Sequence, residues 1–72
     1  MHMMHEILKR YRNKLQLNIL LNTERAKSCQ EALARAITDD LKEAIQKQLD
    51  NWSGRLPWLR ERLSEVDAAL RF

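Results

Sequence analysis

The first six residues, MHMMHE, hold side chains that could bind a metal ion. His2 and His5, together with Met1, Met3 and Met4, offer imidazole and thioether ligands of the kind that copper(I) prefers. The histidines supply only two nitrogens, however, and no cysteine or carboxylate cluster beside them completes a coordination shell. The sequence therefore predicts no metal site and no cofactor.

The single thiol of the chain, Cys29, is the second reactive group. A nucleophilic cysteine needs a nearby base and an open, electropositive pocket. Both histidines are far away, and Cys29 falls on an apolar helical face, where a small buried thiol is ordinary. The sequence also has no glycine-rich phosphate loop, since it contains one glycine. We therefore expect a protein that is not an enzyme.

Basic residues surround an aromatic residue in two segments, and this combination can bind nucleic acid through phosphate contacts and base stacking. The first segment places Lys9, Arg10, Arg12 and Lys14 around Tyr11, and the second places Arg55, Arg60 and Arg62 around Trp58. Acidic residues interleave the second segment, and a solvated helix face is the favoured interpretation of both clusters. Nucleic-acid binding is therefore the alternative function.

Apolar residues give a stronger signal in the middle of the first half. The main apolar stripe of the first helix is predicted to consist of Met4, Leu8, Tyr11, Leu15, Ile19, Ala26, Cys29, Leu33 and Ile37. Leu17, Leu20 and Leu21 project away from this stripe, so that this part of the helix is apolar on most sides. One interpretation is a wide core stripe. The interpretation favoured here is an association surface, in which these leucines, Trp52 and Trp58 contact a partner or a second copy.

The elements that position these residues are helices. One glycine and one proline interrupt a chain that is rich in helix formers and has no alternating run of β-branched residues. Apolar stripes predict a helix over about 4–36, a turn over about 36–39 and a helix over about 39–71. Thr38 is placed to cap the second helix.

The second helix contains Gly54 and Pro57, which raises the choice between a kink and a break at 53–57. Eight seam positions of a heptad repeat are all apolar across this segment: Ile45, Leu49, Trp52, Leu56, Leu59, Leu63, Val66 and Leu70. Because a loop of arbitrary length would put the two halves out of phase, one kinked helix is predicted. In the rival interpretation Ser53 caps a separate last helix that has Pro57 in its first turn.

Two such helices predict an all-α fold, a long antiparallel helical hairpin that associates into a four-helix bundle; a compact three-helix bundle is the alternative. A chain of 72 residues forms one domain with a marginal core. We expect a small cytoplasmic interaction module of the adaptor, co-chaperone or inhibitor type. Its partner is predicted to be another protein or a second copy, most readily in a homodimer, with no membrane role.

Overall fold

The structure, a computed structural model, describes residues 2–71, with side chains from Met3 onward. It contains α1 (His2–Arg35), α2 (Asp39–Gly54) and α3 (Leu56–Leu70), and the described residues include no strand. The prediction of an all-helical protein with one long first helix and a kinked second helix is confirmed.

A three-residue turn joins α1 to α2. Thr38 has an extended backbone, and its hydroxyl oxygen accepts a hydrogen bond of 3.2 Å from the Leu41 amide. Asp39 and Asp40 occupy the first turn of α2, where negative charge is favourable at the amino end of the helix dipole. The predicted cap at Thr38 is thus confirmed. It sets the start of the second arm, which consists of α2 and α3; α1 is the first arm.

The kink between α2 and α3 lies at a single residue, Arg55. Its backbone stays in the right-handed helical region (φ −79°, ψ −23°). Pro57 is the second residue of α3. The N–H groups in the first turn of a helix have no acceptor within that helix, so a proline at this position costs no helical hydrogen bond. The Ser53 hydroxyl donates to the Leu49 carbonyl at 2.7 Å and does not cap α3. The rival interpretation is therefore wrong about Ser53, whereas its placement of Pro57 in the first turn of the last helix is confirmed.

We expect Gly54→Ala to stabilise the protein. Gly54 has no positive φ, and no atom from outside its own helix lies within 4 Å of an added Cβ. Alanine loses less backbone entropy on folding, so the free energy of unfolding should rise by about 0.5–1 kcal/mol. Urea unfolding followed by circular dichroism measures this change, and a lower midpoint would show that the kink needs glycine.

Burial follows a strict 4–3 spacing along α1. Between Met3 and Arg35, every residue that is not exposed falls on this seam: Leu8, Arg12, Leu15, Ile19, Asn22, Ala26, Cys29 and Leu33. All eight predicted seam residues of the second arm are buried or half-buried as well, and only Ser53 and Asp67 join them in α2 and α3. The two seams therefore face each other, as in a coiled coil.

Side-chain contacts join α1 to both α2 and α3. Arg12 pairs with Asp67 at 4.0 Å, and Arg25 lies over the ring of Trp52 farther along α1. α1 packs along both α2 and α3, which contact each other little. The molecule measures 56 × 14 × 13 Å between Cα atoms, so it is elongated.

The core is small. Leu15, Leu59 and Val66 form its buried cluster, and Leu8, Ile19, Leu63 and Leu70 pack against it. Ala26 is the other buried apolar residue among those described. Most other apolar side chains therefore keep contact with water.

Three residues that the sequence places on the apolar stripe are exposed instead. Tyr11 is one position off the seam, because Arg12 takes the seam position with its aliphatic stem. Ile37 lies in the turn, where the backbone no longer follows the helical period, and Met4 also lies off the 4–3 seam. The stripe prediction is wrong at these three positions.

Candidate protein-interaction face

The seam divides the surface into two broad faces. A recess lined by Asn18, Asn22, Arg55, Trp58 and Leu59 shows that Asn18 of α1 and Trp58 of α3 lie on the same side. A second recess, lined by Ser28, Cys29, Ala32, Ala44, Ile45 and Gln48, continues this side toward the turn. We call it the tryptophan face. On α1 it comprises Met4 and the residues that follow it at alternating spacings of three and four, as far as Arg35. On α2 and α3 it comprises Leu41 and the residues that follow it at the same spacings, as far as Ala69.

Exposed apolar residues concentrate on the tryptophan face. Of the ten large apolar residues exposed in the described chain, six belong to it: Met4, Ile7, Tyr11, Leu21, Leu41 and Trp58. Met3 and Leu17 lie on the outer side of α1, away from the seam, and Ile37 lies in the turn. Only Leu20 lies on the opposite face. That face comprises Glu6 and the residues that follow it on α1 at alternating spacings of three and four, and Asp39 and the residues that follow it along α2 and α3 to Arg71 at alternating spacings of four and three. The two faces therefore differ sharply in apolar character.

The faces differ in charge as well. The tryptophan face carries five bases and one acid, a net charge of +4: Lys14, Arg25, Arg35, Arg55 and Arg62 against Glu65. The opposite face carries four bases and five acids, a net charge of −1: Lys9, Lys27, Arg60 and Arg71 against Glu6, Asp39, Glu43, Asp50 and Asp67. One face is thus both apolar and basic.

Arginines stack on both tryptophans. The guanidinium carbons of Arg25 and Arg55 lie 4.6 and 4.9 Å from the centroid of the Trp52 ring, and that of Arg62 lies 5.2 Å from Trp58. Such cation–π contacts stabilise by about 0.5–1 kcal/mol at exposed sites and hold the planar groups in place. None of the four ion pairs within residues 2–71 includes Arg25 or Arg55, so their charges are not neutralised there.

The recess beside Trp58 contains an unsatisfied polar atom. Asn22 is 6% exposed, and its side-chain nitrogen donates to the Asn18 carbonyl at 2.7 Å. Its Oδ1 atom is buried and accepts no hydrogen bond from the described residues. The recess measures about 270 Å³ and is open to solvent, so it suits a side chain of a partner better than a whole small molecule.

The structure separates the five residues predicted to form the interface. Leu21 and Trp58, 40% and 54% exposed, lie on the tryptophan face, whereas Leu20, 56% exposed, lies on the opposite face. Leu17 lies on the outer side of α1, and Trp52 is half-buried in the seam. Leu21 and Trp58 are therefore the two that can act together.

The predicted basic clusters are dispersed in the same way. Lys14, Arg55 and Arg62 lie on the tryptophan face; Lys9 and Arg60 lie on the opposite face; Arg10 lies on the outer side of α1. Lys9 pairs with Glu6 at 3.8 Å, and Arg12 is half-buried in the seam beside Asp67. Three of the seven share a surface.

Five exposed large apolar or basic members of the tryptophan face were not singled out from the sequence as contacts for any partner: Met4, Ile7, Arg25, Arg35 and Leu41. They share with Leu21 and Trp58 the alternating spacing of three and four. This repeat is readable in the sequence, but it indicates a shared face only once the seam is known.

Other kinds of site are restricted by the described residues. Residues 3–71, whose side chains the structure describes, contain no group of three His, Cys, Asp or Glu side chains placed to hold a metal ion. Met1 and the side chain of His2, which belong to the copper(I) ligands considered above, lie outside the described parts. No helix in the described chain combines the length and apolar character needed to cross a bilayer.

Compared with known proteins, the chain matches no family model, no curated protein and no solved structure.

Proposed function

We propose that this chain is a non-enzymatic protein–protein interaction module, of the adaptor, co-chaperone or inhibitor type, that acts through its tryptophan face. The observation that carries the proposal is the placement of six of the ten exposed large apolar residues on one face. Apolar patches of this kind on small proteins mark interaction sites. Neither recess between the arms is enclosed, which favours a docking role over catalysis.

In this proposal the chain is an antiparallel helical hairpin that docks against further helices. Opposed contacts such as Arg12–Asp67 and Arg25–Trp52 support the hairpin. A helix in a four-helix bundle contacts two neighbours about 90° apart, and on α1 the seam and the tryptophan face are two such stripes. Two copies could pair in this way, as the sequence predicts, or the hairpin could bind a different helical protein.

Leu21→Glu is expected to abolish self-association, because it replaces a central apolar contact of the face with a hydrated carboxylate that must lose its water on burial. Light scattering at high salt, where repulsion between the basic faces is screened, should give the monomer mass of 8.6 kDa for this variant and a larger mass for the unchanged protein.

Leu20→Glu is the matched control, since it makes the same change at the adjacent exposed position on the opposite face. It should leave the association unchanged. If both variants associate equally, the tryptophan face is not the contact. If the unchanged protein is monomeric at every salt concentration, the homodimer is excluded and only a different partner remains.

Nucleic-acid binding is the second candidate function. The observation that favours it is the position of Lys14, Arg55 and Arg62 on the same face as the exposed Trp58. Such binding would weaken steeply as salt rises, whereas apolar association would persist.

A further inference from the structure

We infer that the tryptophan face binds an acidic amphipathic helix, with an apolar stripe flanked by aspartate or glutamate. This inference rests on the proposed function and names the partner class for the same face. Leu21 and Trp58 provide the central apolar contacts, and Lys14, Arg25 and Arg55 provide positive charge around them.

Charge decides between this partner and a second copy. No ion pair within residues 2–71 involves Lys14, Arg25 or Arg55, so their charges are available to a partner. A second copy would bring another net charge of +4 against the same face, and like charges brought together at an interface oppose binding. An acidic helix neutralises these groups instead, and it supplies carboxylates that arginine binds through two hydrogen bonds.

Apolar content decides between an acidic helix and a nucleic acid. Met4, Ile7, Leu21 and Leu41 are exposed on the face, and phosphate groups cannot cover aliphatic side chains favourably. Among the described residues of the face, Trp58 is the one that offers a largely exposed aromatic ring at its centre, and Arg62 already lies over that ring. A helix with both apolar and acidic residues matches both properties of the face.

The arrangement along the face is also that of a helix-binding groove. Leu21 and Trp58 lie near the middle of a molecule 56 Å long, with Leu41 toward the turn and Ile7 toward the other end. Apolar contacts spaced along such a surface fit the i, i+3, i+4 and i+7 positions of a bound helix. The basic side chains at the flanks then face the acidic margins of that helix.

Two synthetic helical peptides test the inference, with the same leucine stripe and with either glutamate or lysine at the flanking positions. Fluorescence anisotropy of the labelled peptides gives the affinities. At low salt we expect the full-length protein to bind the glutamate peptide at least about tenfold more tightly than the lysine peptide. A single-stranded DNA oligonucleotide is titrated in parallel, and light scattering records the mass of the protein alone.

The variant Lys14→Glu/Arg55→Glu should reverse this preference and bind the lysine peptide more tightly. Such a gain cannot arise from a loss of folding. The variant Lys27→Glu/Arg60→Glu changes the net charge equally on the opposite face, so it should keep the preference for the glutamate peptide.

Each other outcome overturns the inference in a distinguishable way. Equal binding of both peptides, or a dimer that excludes both, would overturn it and leave the proposed interaction function standing. Binding of the oligonucleotide with no binding of either peptide would overturn both and support the nucleic-acid alternative. No binding of any probe by a monomeric protein would also overturn both.

Discussion

Leu15→Ala should destabilise the protein by about 2–5 kcal/mol, the range for removing a buried leucine side chain from a packed core. Leu15 is 3% exposed, and it packs against Leu59 and Val66 in the buried cluster. A folded chain of this size is stable by only roughly 4–11 kcal/mol, so the loss is a large part of the total. Urea unfolding followed by circular dichroism should show a much lower midpoint.

Leu17→Ala is the matched control for this prediction. It makes the same change two residues farther along the same helix, where the side chain is 55% exposed and points away from the seam. Helix propensity changes equally in both variants, so the difference between them reports burial alone. We expect Leu17→Ala to shift the free energy of unfolding by less than about 0.5 kcal/mol. Equal losses in the two variants would show that the seam of α1 is placed incorrectly.

The second arm was predictable in detail because its seam is purely apolar. All eight heptad positions from Ile45 to Leu70 carry apolar residues, and all eight are buried or half-buried. Because the positions before and after Gly54 and Pro57 share one heptad phase, they also predict a helical path through this segment. The structure tolerates Pro57 there because a proline in the first turn of α3 interrupts few hydrogen bonds. Apolar periodicity is the dominant signal wherever no polar residue occupies the seam.

The first arm was harder to predict because two of its seam positions are polar. Arg12 and Asn22 lie among buried or half-buried residues, whereas the neighbouring Tyr11 is exposed. A stripe drawn through apolar residues alone therefore drifts off the seam at these points. Arg12 can occupy the seam because its stem is apolar and its guanidinium reaches Asp67. This pairing between distant residues is not readable from local spacing.

The sequence shows the residue types of the candidate site but not its geometry. Excess leucine and exposed tryptophan indicated a surface for association, yet the adjacent Leu20 and Leu21 lie on different faces. Helix geometry turns successive residues by about 100°, so a small error in the direction of the seam moves such a residue from one face to the other. The second arm was needed to fix that direction.

Asn22→Leu is expected to stabilise the protein by about 1–3 kcal/mol, the cost of a buried polar atom without a partner. The Oδ1 atom of Asn22 is buried next to Leu59 and accepts no hydrogen bond from the described residues. Leucine has the same branching at Cγ, so it fits the same space. The hydrogen bond lost to the Asn18 carbonyl matters little, because that carbonyl also accepts the helical hydrogen bond from the Asn22 amide.

Asn18→Leu, one turn earlier at an exposed position, is the matched control and should change the free energy of unfolding by less than about 0.5 kcal/mol. A polar residue at a seam position usually fixes register and oligomer state while it lowers stability. Asn22→Leu should therefore raise the urea midpoint and also broaden the distribution of masses seen by light scattering. A lower midpoint would mean that a partner for Oδ1, such as an ordered water molecule, is bound in solution. In that case Asn22 would stabilise the seam directly, and the penalty inferred for its buried oxygen would be absent.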